Sequence, residues 1–302
     1  MIRVGSIEPM LRDNVHPSAF GYKVLGLAAA DALADLMIES MTPDVPGNAV
    51  SASFRNRIVN GDFRINQRQV GALLAFYPAG SYTRDRWKSG PGGAEIWFDG
   101  SDNGDIIASV RGSTLIQVVE GGLYLREGGT YVLSWAGTAQ ARVYQGAASG
   151  SYASSPGVVS LIAGMDAVVE FTNGSATRVQ LEPGLTATPF ERRDDEADRC
   201  RRYFQRLNNP PLKGIAAGAA ISRMSMPLYP RMRAAPTATL GGLISVFDGS
   251  TTGTITGIFG NFSTPQLIEC DVGYSSATEF AWARLVTVFQ GDAGHIDLAA
   301  EL

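Results

Sequence analysis

Between residues 50 and 190, apolar and polar residues alternate in short runs that glycine-rich turns separate. Tyr131, Leu133 and Trp135 fall on one face of such a run, and Val179 and Leu181 alternate with polar neighbours in another. This period of two is typical of strands that bury one face, and no helical period separates the runs. The pattern therefore predicts a mainly β chain, with a β-sandwich of the jelly-roll type in this region. The predicted strands are residues 106–120, 131–145, 158–162 and 167–172, and Asn173-Gly174 is predicted to form a hairpin turn.

A segment rich in charged residues, 191–207, follows this region. Asp195 and Arg199 are four residues apart, as are Asp198 and Arg202, so opposite charges would face each other along a helix. We interpret the segment as a solvated, salt-bridged helical connector between two domains.

Beyond the connector, the sequence returns to strand-like runs with turns rich in Gly, Ser and Thr. They predict a second antiparallel β domain, most simply another small sandwich. The predicted strand regions are 221–228, 240–262 and 279–290. The two domains are therefore expected at residues 49–190 and 191–302.

Residues 1–48 differ from the rest because their apolar residues follow a helical period. An amphipathic helix is predicted from Ser18, a favourable N-cap, to Ser40, and Pro43 and Pro46 then begin a linker. A single helix of this kind cannot bury its apolar face by itself. We therefore expect residues 1–46 to be an anchoring arm that docks on another protein or on sister subunits.

Composition and charge narrow the function classes. The net charge is −4, and no block of Lys and Arg with interleaved aromatic residues occurs, so nucleic acid is not an expected partner. The helix predicted at 18–40 carries charged residues, so membrane insertion is not expected, and the first residues do not read as a signal peptide. The two cysteines, Cys200 and Cys270, have neither disulfide-framework nor metal-site spacing and are expected to be reduced and buried.

No cofactor or metal is predicted. The acidic cluster from Asp99 to Asp105 resembles the start of a calcium loop, but Val110 occupies the position of the closing Glu, so an acidic turn is the better interpretation. Neither a glycine-rich phosphate loop nor an HExxH motif occurs. His295 has no catalytic partner in the sequence and is interpreted as structural.

Aromatic residues in or near loops are candidates for carbohydrate binding, because the C–H face of a sugar packs on an aromatic ring. Trp87 and Trp135 are expected in the core, because a Trp side chain buries a large apolar area. The candidate carbohydrate-binding residues are Tyr82, Trp97, Tyr144 and Tyr152.

Several motifs resemble those of one class of proteins. The connector region contains QLEPG (180–184), ATPFERR (187–193) and CRRYF (200–204). Earlier motifs are NRIVNGDF (56–63) and YTRDRW (82–87), and later ones are MRAAPT (232–237) and AEL (300–302). In this order they resemble phage tail-fibre and spike proteins, in which a jelly-roll, carbohydrate-binding-like domain is joined to a C-terminal tip domain.

This resemblance implies a receptor-binding adhesin of a phage or phage-like particle that attaches to host surface or capsular polysaccharide. It implies a homotrimer, a location in the virion and release from bacterial cytoplasm by lysis, with attachment to a tail or a head left open. The tip domain would be the distal part, and its exposed aromatic residues would come from Phe259, Phe262, Tyr274 and Trp282.

A second resemblance concerns the arm. Asp13-x-x-His16-Pro17 before an amphipathic helix resembles the last block of SGNH/GDSL esterases, in which the His is the general base and the Asp orients it. No Gly-Asp-Ser nucleophile block occurs, so this chain is not predicted to be an enzyme. Three interpretations stay open: a vestigial block reused for docking, a site completed by another chain, and chance similarity. The alternative functions are a polysaccharide esterase or depolymerase component and a purely structural capsid or tail decoration.

Overall fold

The computed structural model describes residues 55–100, 105–208, 210–218, 220–276, 284–288 and 294–302. The predicted arm with Asp13 and His16 lies outside the described residues, as do Trp282 and the middle of the predicted acidic turn. The mainly β fold is confirmed: antiparallel strands dominate the described residues. Neither of the two helices found there, α1 (Gly121–Tyr124) and α2 (Glu196–Arg201), is long and apolar enough to cross a membrane.

Two antiparallel sheets enclose the first hydrophobic core, as predicted. The larger sheet contains β1 (Ala75–Tyr77), β3 (Ala94–Gly100), β4 (Ile106–Arg111), β6 (Gly129–Ala136), β8 (Gly157–Leu161) and β10 (Gly174–Pro183). The smaller contains β2 (Lys88–Ser89), β5 (Leu115–Val119), β7 (Ala141–Gln145) and β9 (Ala167–Phe171). Their strand orders are β1-β3-β4-β10-β6-β8 and β2-β5-β9-β7. All four predicted strand regions contain strands at the expected positions.

Aromatic residues fill the space between these sheets. Trp87 is fully buried, and its ring centroid lies 4.9 Å from that of Phe63. Trp135 packs edge-on against Phe171, with 5.2 Å between centroids. Both indole N–H groups donate to main-chain carbonyls, so burial leaves no polar group of these rings unsatisfied. The core positions predicted for Trp87 and Trp135 are confirmed.

The hairpin predicted at Asn173-Gly174 is wrong. β9 belongs to the smaller sheet and β10 to the larger, so the chain crosses between sheets at this turn. Gly174 has a φ of +127°, and a Cβ there would lie 2.6 Å from the main-chain nitrogen of Ala139. Glycine is therefore required for a close backbone approach and not for a two-residue hairpin.

β10 is buried on both faces from Val179 to Glu182, whereas the alternation predicted one buried face. Gln180 and Glu182 are buried like Val179 and Leu181 because the segment after the strand folds back over them. Glu182 accepts hydrogen bonds from the main-chain N–H and the hydroxyl of Thr188, both at 2.7 Å. The polar residues of the QLEPG motif thus hold the ATPFERR segment against its own strand.

The connector is not a solvated helix through its length. α2 covers only Glu196–Arg201, and Arg199 and Cys200 within it are buried. The predicted i,i+4 ion pairs are also wrong, because Arg199 pairs with Glu196 and Arg202 reaches Glu120 in the sandwich. Arg199 thus takes an i,i+3 partner within the helix, whereas Arg202 leaves the helix for a carboxylate of the sandwich.

The second antiparallel β region is confirmed, but it forms a barrel and a small sheet, not a second sandwich. The small sheet contains β11 (Phe204–Asn208), β14 (Thr237–Gly241) and β19 (His295–Ala299), in the order β11-β19-β14. The barrel contains β12 (Lys213–Gly218), β13 (Ile221–Pro227), β15 (Ser245–Phe247), β16 (Thr252–Asn261), β17 (Leu267–Ser276) and β18 (Leu285–Val288). Its order is β12-β13-β17-β16-β15-β18, and pairing of β12 with β18 closes it around a second hydrophobic core.

A buried polar junction joins the sandwich to the second region. We define it by Arg68, Arg86, Tyr203 and Glu301. The Glu301 carboxylate pairs with both Arg68 and Arg86, and the Arg86 guanidinium lies 3.6 Å from the centroid of the Tyr203 ring. Although burial disfavours the charged form, Glu301 and the nearby tyrosine hydroxyls raise the pKa of Arg86. The charges are thus removed from water but compensated.

Four of the sequence motifs contact one another in pairs near this junction. Asn60 of NRIVNGDF donates to the main-chain oxygen of Asp85 in YTRDRW, at 3.0 Å. Arg233 of MRAAPT donates to the main-chain oxygens of Ala300 and Glu301 in AEL, both at 2.8 Å. Asn60 and Arg233 thus link segments that are distant in sequence.

Candidate functional site

The candidate site begins with an ion pair across two strands of the smaller sheet. Arg142 on β7 lies directly opposite Glu170 on β9. Nε and Nη2 of Arg142 lie 2.8 Å and 2.7 Å from the same oxygen, Oε2 of Glu170. The neighbours Val143 and Val169 point into the core, so this pair lies on the outer face of the sandwich.

Two tyrosines flank the guanidinium. Its central carbon lies 5.1 Å from the centroid of the Tyr144 ring and 4.6 Å from that of Tyr152, both within cation–π distance. Tyr144 follows Arg142 by two residues and therefore shares its face of β7. Tyr152 comes from the loop between β7 and β8, which main-chain hydrogen bonds between Ala141 and Ala153 hold against the edge of the sheet. Both rings are half-buried and keep part of their surface exposed.

Electrostatics keep this cluster in a defined protonation state. Burial and then the Glu170 carboxylate raise the pKa of both the Tyr144 and the Tyr152 hydroxyl. Burial disfavours the charged Arg142, but its hydrogen bonds with Glu170 and attraction to it raise the pKa of the guanidinium overall. At neutral pH the cluster therefore offers two neutral hydroxyls and an ion pair whose charges cancel.

A cleft of about 250 Å³ opens beside the cluster, between the edges of the two sheets. Its apolar wall is formed by Leu133, Trp135 and Val143, and its polar side by Arg142 and the loop residues Gly150 and Ser151. Arg142 belongs to both the cluster and the cleft. We call the set Arg142, Tyr144, Tyr152 and Glu170 the tyrosine–arginine cluster.

The structure thus brings together two of the four candidate residues. Trp97 is half-buried on β3 between the core residues Ile96 and Phe98, so it faces outward from the larger sheet. It lies on the opposite outer face of the sandwich from Tyr144. Trp97 and the cluster therefore do not form one site.

Tyr82 belongs to the junction and not to an open surface. Its hydroxyl donates to the main-chain oxygen of Leu302 at 2.8 Å, and its ring is approached by Arg68 and Lys88. Burial and the Glu301 carboxylate raise the pKa of this hydroxyl. We therefore assign Tyr82 a structural contact and leave it out of the candidate site.

The aromatic residues expected at the tip divide into two groups. Phe259 and Phe262 are exposed by 73% and 51%, whereas Tyr274 is exposed by only 4% and packs in the barrel core. His295 and Asp297 are two residues apart on β19, and Nε2 of His295 lies 3.7 Å from Oδ2 of Asp297, which agrees with a structural role.

Sequence reasoning did not select Arg142 and Glu170. Arg142 alternates with Tyr144 in a strand-like run, which places the two on one face and was an available signal. Glu170 could not be found in the same way, because it joins the cluster only through the pairing of β7 with β9.

Comparison with known proteins does not assign this chain: no protein-family model matches it, and no curated protein matches it in sequence.

Proposed function

We propose that this chain is a fibre or spike subunit of a phage or phage-like particle and that it attaches the particle to bacterial surface polysaccharide. The observation that carries the binding proposal is the tyrosine–arginine cluster, in which two partly exposed rings flank a charge-balanced pair beside a cleft. The resemblance in sequence motifs supports the particle context.

The chemistry of the cluster suits a saccharide. A sugar ring presents C–H groups that pack on an aromatic face and hydroxyl groups that need donors and acceptors close by. Tyr144 and Tyr152 supply rings and hydroxyls. Glu170 holds the guanidinium and hydrogen-bonds the Tyr152 hydroxyl with only 5% of its own side chain exposed, so sugar hydroxyls would meet the tyrosine hydroxyls and the partly exposed Arg142. Because the two charges cancel, the site favours neutral sugars.

The remaining parts of the proposal concern assembly. Residues 1–46 would anchor the subunit to a base, capsid or tail protein, and the subunit would act as a homotrimer in the virion. Several weak sites on linked subunits then give strong attachment, because binding of the first raises the effective concentration of the others. The junction would keep the cluster at a fixed orientation to the second region.

The test uses the full chain on an array of purified bacterial capsular and O-antigen polysaccharides. We expect binding to a subset of them and a loss of at least about tenfold in apparent affinity in a Tyr144→Ala/Tyr152→Ala variant, since each ring contributes on the order of 1 kcal/mol. Tyr229→Ala is the matched control, because Tyr229 is 84% exposed and lies outside the sandwich. Absence of binding to every polysaccharide would contradict the adhesin proposal. Equal binding by the double variant would contradict the assigned site.

A further inference from the structure

The outer face of the barrel carries an apolar strip. Cross-strand pairing places Leu285, Ile215 and Arg223 side by side on β18, β12 and β13, and Arg223 opposite Asp271 on β17. Leu285 is 62% exposed and Ile215 is 54% exposed, while their sequence neighbours Val286 and Ala216 point into the core. Ile221 on β13 is 45% exposed and pairs with Gly273 on β17. Alternation therefore places these side chains on one outer surface.

Two phenylalanines extend the strip across β16. The pairing of β16 with β17 shifts between Ile258 and Gly260, so Phe259 is the extra residue of a β-bulge, a feature that redirects a side chain. A Cβ on Gly273 would lie 2.2 Å from the Phe259 ring, so this ring packs on main chain that lacks a side chain. The Phe262 ring similarly covers Gly260. Each ring is supported on the protein side and exposed on the other.

The strip contains one ion pair, in which a single guanidinium binds both oxygens of the carboxylate. Nε and Nη2 of Arg223 lie 2.8 Å and 2.9 Å from the two different oxygens of Asp271. The guanidinium also lies 4.5 Å from the centroid of the Phe262 ring. At the tyrosine–arginine cluster, by contrast, the guanidinium contacts only one carboxylate oxygen. The barrel strip therefore offers apolar area and a neutralised pair, with little capacity for the hydroxyl groups of a sugar.

We propose that this strip, Ile215, Ile221, Arg223, Phe259, Phe262 and Leu285, is a surface through which copies of this chain associate. Soluble proteins seldom leave several large apolar side chains contiguous in water, and the centres of protein interfaces are enriched in aromatic residues and Arg and depleted of uncompensated charge. The strip fits a second copy because its charges cancel internally. An identical strip therefore meets it without like-charge repulsion, although each chain carries a net charge of −4. This inference gives a location to the self-association in the proposed function, and it does not depend on sugar binding.

The test measures the mass of the full chain by light scattering and sedimentation velocity over a range of concentrations. We expect the wild type to be an oligomer and Ile215→Asp and Phe259→Asp each to weaken its association by at least about tenfold, since each places a charge in a desolvated contact. Leu243→Asp is the control, because Leu243 is 69% exposed and precedes β15, outside the strip. Circular dichroism establishes that the variants are folded.

Three results would overturn the inference. They are a monomeric wild type, an oligomer that both strip variants leave unchanged, and an equal effect of Leu243→Asp. If the strip variants keep the wild-type mass but lose polysaccharide binding on the array, the strip is a sugar surface and the inference is wrong. Failure of sugar binding alone, with mass lowered by the strip variants, contradicts only the proposed function.

Discussion

Nη2 of Arg68 lies 2.8 Å from Oε1 of Glu301, although 233 positions separate the two residues. The same guanidinium lies 3.8 Å from the centroid of the Phe204 ring, at the start of the second β region. Arg68 thus contacts both the first strand of the second β region, which begins at Phe204, and Glu301 near the last residue, Leu302. The Arg68 side chain therefore helps to hold the sandwich and the second β region together.

Removing Glu301 should strongly destabilise the fold. In Glu301→Ala, Arg86 stays buried with only 2% of its side chain exposed and without its carboxylate partner. Loss of one partner of a buried ion pair costs about 3–5 kcal/mol of unfolding free energy. Urea unfolding followed by tryptophan fluorescence measures the change.

The control for this prediction is Asp198→Ala, which removes the i,i+3 partner of Arg201. Both side chains of that pair are about half exposed. Solvent screens such pairs, so the expected loss is below about 1 kcal/mol. Similar losses in the two variants would mean that the junction does not stabilise the fold as we argue.

The local pattern of apolar and polar residues was sufficient to predict the strands of the sandwich. It was insufficient to predict which strand faces other segments of the chain cover. Alternation placed Tyr131, Leu133 and Trp135 correctly in the core, because side-chain period is a property of the strand itself. Burial of Gln180 and Glu182 depends instead on Thr188 and its neighbours folding back. The alternation within the strand does not indicate that a later segment will fold back over it.

The same limit explains the barrel and the candidate site. Closure of the barrel requires Lys213 on β12 to pair with Thr287 on β18, and these two residues are far apart in sequence. Tyr144 and Tyr152 were predictable as loop-associated aromatic residues, but their common partner Arg142 becomes recognisable only once Glu170 lies opposite it. Pairings between distant strands decide which polar residues meet, and a single sequence does not report them.

The stability contribution of Asp85 should fall as pH rises. Burial raises the pKa of this carboxyl, and attraction to Arg68 with hydrogen bonds from Gln67 offsets only part of the effect. A raised folded-state pKa gives stability that is fully present below the unfolded pKa, near 4, and is lost as pH rises through the folded value. Relative to Asp85→Asn, the wild type should therefore lose unfolding free energy across that window in urea titrations at a series of pH values.

Asp195 provides a control of opposite sign for this pH dependence. A hydrogen bond from Arg193 lowers the pKa of the Asp195 carboxyl, despite partial burial. Its contribution is therefore present above the unfolded pKa and lost as pH falls through the folded one. The wild type should gain stability over Asp195→Asn as pH rises. If the two aspartates changed the unfolding free energy in the same direction as pH rises, the opposite pKa shifts assigned to them would be wrong.

The two cysteines should be unreactive in the folded protein. Both are free and buried, as the sequence predicted. Burial raises the pKa of the Cys200 thiol well above its ordinary value and that of the Cys270 thiol to about 11. Since the thiolate is the reactive form, native protein at pH 7.5 (roughly one unit below the ordinary thiol pKa) should resist a maleimide reagent until denaturant is added.

Ser160→Cys, on the exposed outer side of β8, is the positive control and should react at once. Rapid native labelling of either natural cysteine would contradict its placement in a core.

Substitution of Glu170 should change which polysaccharides bind. In Glu170→Gln the shape of the tyrosine–arginine cluster is retained, but Arg142 loses its compensating charge and a charge-assisted hydrogen bond. Binding of neutral polysaccharides should fall by about tenfold, corresponding to about 1.4 kcal/mol. Binding of uronic-acid polysaccharides should rise, and 0.5 M salt (roughly three times physiological ionic strength) should reduce that gain because salt screens a cation that is in part exposed to solvent. Glu95→Gln, which removes the acid of an exposed pair with Arg111 on the larger sheet, should leave the binding profile unchanged. If Glu170→Gln instead binds the same polysaccharides with the same affinity, the charge balance of Arg142 and Glu170 has no part in selecting the ligand.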